Sequence, residues 1–185
     1  MISRYNPEQN DYVKYIPIEK FKEVNEDLLK LEKRLEKTPV KIPFMIPNEP
    51  DDGIYINSLS DVKLLFEGDE PVNMDAPVNR RYASFLLVAA YFCKNIKIIK
   101  YLVEKGSSVH RVDAFGYNAI MSVILNENMK LETKLEAISY LIDKGCDVNW
   151  LTCVGETALT LAISRMEIEI ANLLLDRGAI LYKDE

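Results

Sequence analysis

His110 is the chain's only histidine, and it lies beside Arg111 and three residues before Asp113. An imidazole oriented by a carboxylate could activate a hydroxyl or thiol nucleophile. No nucleophile is signalled next to it, so His110 reads as a turn-structuring or contact residue. Cys93, Cys146 and Cys153 could be nucleophiles or thiolate ligands. They lack CxxC spacing and a sequence-adjacent base, and with one histidine they make a poor zinc set. Asp51-Asp52-Gly53 and Glu67–Glu70 carry no EF-hand ligand series and read as solvated turns. Glu156 and Glu167 show no pattern that pairs them as acid and base. Neither GxGxxG nor GxxxxGK[ST] occurs. The expectation is a non-enzymatic protein with no catalytic, cofactor-binding or metal-binding residues.

Recognition chemistry has a clearer signal. In residues 110–117 and 149–156, Val112, Phe115, Tyr117, Trp150, Leu151 and Val154 stand where a bland turn would be polar. Large side chains of this kind anchor interfaces, aromatics above all. The competing role is packing of one turn on the next, or beneath the N-terminal residues.

Charge narrows the partner. The net charge is −6, and residues 111–185 hold seven Lys/Arg against twelve Asp/Glu (7 − 12 = −5). An acidic surface opposes nucleic acid and would steer a basic protein towards itself. Plain solubility is the alternative meaning. No apolar run approaches the roughly 18 residues of a membrane span. The N-terminal MISRYNPEQNDY has no leader pattern, and unpaired thiols suit a reducing, cytoplasmic compartment.

The elements that must position these turns are written twice. GCDVNWLTCVGETALTLA begins at Gly145, and GSSVHRVDAFGYNAIMSV, an imperfect copy, begins at Gly106. Each starts with Gly after an apolar helical run, has Val three residues on and a second Gly ten residues on. Three helix pairs emerge: Ala83–Phe92 with Ile96–Gly106, Tyr117–Glu127 with Leu135–Gly145, and Glu156–Arg165 with Ile168–Gly178. The terminal glycines give periods of 33 (178 − 145) and 39 (145 − 106). The six extra residues fall in the connection Asn126–Lys134. Leu102, Leu141 and Leu174, four residues before each glycine, should bury against a neighbouring unit. Small Ala90 and Ala162 should let the helices of a unit approach closely. A weak partial unit, with a helix capped by Ser60, spans Asp61–Gly68.

Upstream, Pro17–Lys37 reads as a long amphipathic helix with Phe21, Val24, Leu28, Leu31 and Leu35 on one stripe. Pro39, Pro43, Pro47 and Pro50 then make residues 38–53 an extended crossing segment. A short strand could follow at Ile54–Ile56, and Phe44 and Ile46 should pack on the body. The chain divides into an N-terminal extension, 1–59, and a repeat domain, 60–185.

The 33-residue unit, with TAL-x-LA opening its first helix and LLL-x-x-G closing its second, resembles the ankyrin repeat. Gly155, Thr157, Leu159, Ala162, Leu173, Leu174, Leu175 and Gly178 carry the match best. The middle unit keeps Asp113, Gly116, Ile120, Leu141 and Gly145, with Asn118 in place of Thr. The first full unit places Ala83 at the turn glycine and Phe85 at the Thr. The resemblance implies an all-α helical-repeat solenoid joined by β-turn loops, here capped by the N-terminal helix and Pro-rich segment. It also implies protein binding through turn tips and the adjoining first-helix concave face. Carried over by motif position, the contact residues are Arg81, Tyr82, Ser84, Phe92 and Cys93 in the first full unit. They are Ala114, Phe115, Tyr117, Leu125 and Asn126 in the second, and Cys153, Val154, Glu156, Ser164 and Arg165 in the third. Trp150 joins them from the turn composition. A narrower expectation is an immunity or antitoxin protein that neutralises a toxic enzyme. Another is an assembly protein that self-associates through the C-terminal unit, where Ile168 and Ile170 lack a polar capping repeat.

Overall fold

The computed structural model describes residues 58–67, 73–76 and 83–181, together with Lys33. Arg81, Tyr82, Gly68, the helix expected at 17–37 apart from Lys33, which is helical and exposed, the Pro-rich segment and the strand expected at 54–56 lie outside these residues. Within them the chain is helical and contains no strand.

Seven helices follow in order: α1 (Leu59–Phe66), α2 (Phe85–Phe92), α3 (Ile96–Glu104), α4 (Ala119–Leu125), α5 (Leu131–Asp143), α6 (Ala158–Ser164) and α7 (Ile168–Asp176). They form two layers. First helices α2, α4 and α6 stack on one another, and second helices α1, α3, α5 and α7 stack behind them. Helix α1 packs on α3, as the second helix of a partial unit should. It starts two residues earlier than the sequence suggests, with Ser58 at the cap, and the Ser58 and Ser60 hydroxyls bond each other.

Each first helix starts on a side-chain cap. Ser84 accepts from the Leu87 N–H, Asn118 from Met121, and Thr157 from Thr160 in a reciprocal capping box. Such caps satisfy donors that the helix itself cannot. They also fix the register: Ser84, not Phe85, takes the Thr position of the first full unit. Phe85 points inward instead, 1% exposed and edge-on to Phe66 at 5.0 Å.

The second helices end alike. Gly106, Gly145 and Gly178 have φ of +104°, +91° and +90°. The following N–H reaches back to Leu102, Leu141 and Leu174 at 3.0, 2.9 and 2.8 Å. This is the Schellman closure, and it needs a left-handed residue at the glycine. Those three leucines, Ala90 and Ala162 are fully buried.

The six extra residues of the middle unit take a definite form. The connection between α4 and α5 runs over 126–130, where the other two pairs have three residues each. Helix α5 has 13 residues against 9 in α3 and α7, so four extra residues form one additional N-terminal turn. That turn carries Lys134, 7% exposed, whose ammonium donates to the Ile124 carbonyl at 2.8 Å and pairs with Glu167 at 3.0 Å. The insertion thus closes the open C-terminal end of α4 and ties it to the start of α7.

Cys93 and Cys146 are buried and Cys153 is exposed. Burial pushes the Cys93 thiol up to about 12 and the Cys146 thiol up to about 11, from an ordinary 9.0. Between pH 9 and those values the unfolded chain releases protons that the folded chain keeps, so stability falls as pH rises. The expected slope is on the order of 1 kcal/mol per pH unit per thiol. Denaturant melts at pH 8.5 to 10 of the chain and of a Cys93→Ala, Cys146→Ala variant check this; the variant should lose most of the slope. In the native state a thiol reagent at pH 8 should label Cys153 alone.

Candidate partner-binding surface

Between the helix pairs the chain makes two tight turns, and their hydrogen bonds are nearly the same. In the first, the Asp113 N–H donates to Tyr117 O at 3.1 Å and the Gly116 N–H to Asp113 O at 2.9 Å. The Asp113 carboxylate accepts from the N–H groups of Phe115 and Tyr117, both at 2.9 Å. In the second, Thr152 N–H donates to Glu156 O and Gly155 N–H to Thr152 O, both at 2.9 Å, while the Thr152 hydroxyl accepts from Glu156 N–H at 3.0 Å. A short side-chain acceptor at the start of each turn fixes its tip.

The turns are also bonded to each other. Cys153 N–H donates to Phe115 O at 3.1 Å, and the Trp150 indole donates to Gly116 O at 2.9 Å. The Tyr117 hydroxyl reaches a Glu156 carboxylate oxygen at 3.3 Å. Upstream, the Asn118 amide donates to Asp147 O at 2.9 Å. Two tips 39 residues apart in sequence therefore present one continuous edge.

The structure divides the expected contact residues. Phe115 is 50% exposed and Val154 80% exposed, with Ala114, Cys153 and Gly155 exposed beside them. Tyr117 and Glu156 are half-buried and linked to each other. On the first-helix face Phe92 and Leu125 are half-buried, with the Tyr91 ring 4.6 Å from that of Phe92. Arg165 and Ser164 are exposed at the end of α6, and Arg165 lies 3.6 Å from Glu127 and 3.5 Å from Glu167.

Other residues of the expected surface are drawn into the stack. Val112 is 5% exposed and belongs to the core edge. Trp150 is half-buried against the core with its indole N–H committed to Gly116, so it builds the stack of turns. Ser84, Cys93 and Asn126 are 0% exposed. Asn126 donates to Ala90 O at 2.9 Å and Cys93 O at 2.8 Å, and accepts from Asn128 N–H at 2.8 Å. Its amide satisfies carbonyls that the end of α2 leaves without helical partners. A polar residue closing an apolar helix was the available signal for this role. Local sequence cannot tell a cap on the neighbouring unit from a contact residue.

His110 is exposed, and its backbone N–H donates to the Ser108 hydroxyl at 3.3 Å. Among the described residues, no three His, Cys, Asp or Glu side chains gather as a metal set, and no helix is long and apolar enough to cross a membrane.

The sequence model of ankyrin repeats matches residues 86–184 in three copies. The chain is also similar to an ankyrin repeat protein of Acanthamoeba polyphaga mimivirus, 36% identical over 107 residues. That match covers 57% of this chain and 64% of the viral protein, so the chain spans less than two thirds of that relative. The repeated caps, Schellman glycines and stacked turns agree with both matches. The chain belongs to the ankyrin repeat family, whose repeats generally serve as protein–protein interaction modules.

Proposed function

We propose that this chain is a non-enzymatic binding protein that holds a partner protein on its stacked turn tips and adjoining first-helix face. The observation that carries this reading is the exposure of Phe115 and Val154 on turns held by their own and each other's backbone hydrogen bonds. An apolar group fixed in place before binding loses little entropy on docking. Tyr117, Glu156, Leu125 and Arg165 supply half-buried and polar groups around it. Acidic residues outnumber basic ones across 111–185, so a basic partner protein is the class that this surface would attract.

The test is affinity capture from the native source, followed by titration of the captured protein against a Phe115→Ala, Val154→Ser variant. The expected loss is about 2 kcal/mol, roughly 30-fold in affinity, with an unchanged helical spectrum. Unchanged affinity would remove the turn tips from the interface. The narrower immunity or antitoxin version uses the same surface and is decided by whether the captured protein is an enzyme that binding inactivates.

A further inference from the structure

The two bonded turns, residues 110–117 and 149–156, contain two carboxylates, Asp113 and Glu156. They are used differently. Asp113 is 8% exposed, and its carboxylate accepts from the backbone N–H groups of Phe115 and Tyr117, both at 2.9 Å. It builds the first turn. The matching acceptor of the second turn is neutral, the Thr152 hydroxyl, which takes the Glu156 N–H at 3.0 Å. The Glu156 side chain is therefore not spent on its own turn. It is half-buried, and among the described residues its hydrogen bond comes from the Tyr117 hydroxyl, 3.3 Å from Oε2. That bond fills one of about four acceptor positions on a carboxylate.

The cations of the chain are engaged elsewhere. Lys100 pairs with Glu136, Lys134 with Glu167, Arg165 with Glu127 and Glu167, and Arg177 with Asp143. All of these acids lie on helices or beside helix ends. No ion pair among the described residues includes Glu156. A partner that settles on Phe115 and Val154 would remove water from the carboxylate between those turns. Covering it with an apolar or acidic group leaves a buried charge without compensation, which costs free energy. A partner that brings a cation to the same place avoids that cost.

The surroundings select the kind of cation. Val154, two residues before Glu156, is 80% exposed, and Phe115, two residues before Tyr117, is 50% exposed. A guanidinium is planar and weakly hydrated, so it can lie along apolar surface while its fork of N–H donors meets a carboxylate. An ammonium is compact and strongly hydrated and gains less from such a setting. The backbone hydrogen bonds within and between the turns hold the acceptor in place before binding. Building on the binding surface proposed above, we infer that Glu156, oriented by the Tyr117 hydroxyl, receives an arginine side chain of the partner protein and sets the preference of this edge for basic segments.

Peptides selected on the full chain from a random display library are the probe. They should carry an arginine whose replacement by citrulline, which keeps the shape and loses the charge, weakens binding about tenfold. Lysine in its place should restore only part of the loss. Glu156→Gln keeps the side-chain shape and an acceptor for Tyr117, so its melting temperature should match the parent's. It should weaken the arginine peptides by about the same factor and bind the arginine and citrulline forms alike, the signature of a direct pair. Tyr117→Phe should weaken them less. Binders without such an arginine overturn the inference, as does an arginine whose loss costs as much in the Glu156→Gln chain, or a selection that returns no binder. In the first two cases, peptides still weakened by Phe115→Ala, Val154→Ser leave the turn-tip surface standing and remove only the role of Glu156. Peptides indifferent to both variants remove the surface as well.

Discussion

Gly116→Ala should destabilise the fold by about 3 kcal/mol, whereas Gly155→Ala should cost only about 1 kcal/mol. Both glycines stand at the same place in their turns, with φ of +84° and +79°. The left-handed penalty is therefore common to both. The difference is what a Cβ would meet. At Gly116 it would lie 2.9 Å from Thr152 Cα and 3.0 Å from Cys153 N, both backbone atoms of the next turn. At Gly155 nothing lies within 4 Å. Relief at Gly116 requires the two turns to part, which breaks the Cys153 to Phe115 and Trp150 to Gly116 bonds. Denaturant melts of the two variants measure the gap, and Trp150 fluorescence should report solvent entry in the Gly116 variant alone. Equal costs would show that the turns do not bear on each other.

The second large effect falls on Asn126. Asn126→Ala leaves Ala90 O and Cys93 O facing a buried void, and the two lost bonds should cost about 3 kcal/mol. For a repeat domain of this length that lowers the melting temperature by roughly 10 °C. Asn126→Asp is the sharper variant. A carboxylate keeps the bond from Asn128 N–H but turns an anion towards two carbonyls, so at pH 7 it should be less stable than the Ala variant. Burial raises the folded-state pKa of that carboxyl above its unfolded value near 4. The penalty is therefore absent below the unfolded value and grows as pH rises through the window between the two. Melts at pH 4 and pH 7 should show the Asp variant recovering relative to the parent at the lower pH. A residue that only contacted a partner would change stability by less than about 0.5 kcal/mol in either substitution.

The two experiments concern the boundary between what local sequence encodes and what the stack adds. Gly145, Gly155, Thr157, Ala162 and Leu174 act inside a unit or at a seam repeated along the chain, so spacing alone identifies them. The off-register first unit shows the limit of spacing. Ser84 and Phe85 are adjacent, and the side chain that can accept from Leu87 decides which one is the cap. The insertion behaves likewise. Its position in the connection is plain from the glycine periods, but its conversion into a helical turn that buries Lys134 depends on Ile124 and Glu167 from two other segments.

By itself the sequence determined the repeat, its two-helix unit, the helix-closing glycines and the seam leucines, because each follows from backbone geometry and hydrophobic spacing within some 33 residues. Tertiary structure alone decided which turn groups remain outside. Phe115 and Trp150 are both large aromatics in equivalent loops. Yet Phe115 projects from the tip, while the Trp150 indole is drawn in by the Gly116 carbonyl of the previous turn. The same holds for Ile163 and Ile124, which take equivalent positions in their units, one 51% exposed and the other fully buried. Exposure in a solenoid is a property of the neighbour, and a neighbour is not written into the residue it covers.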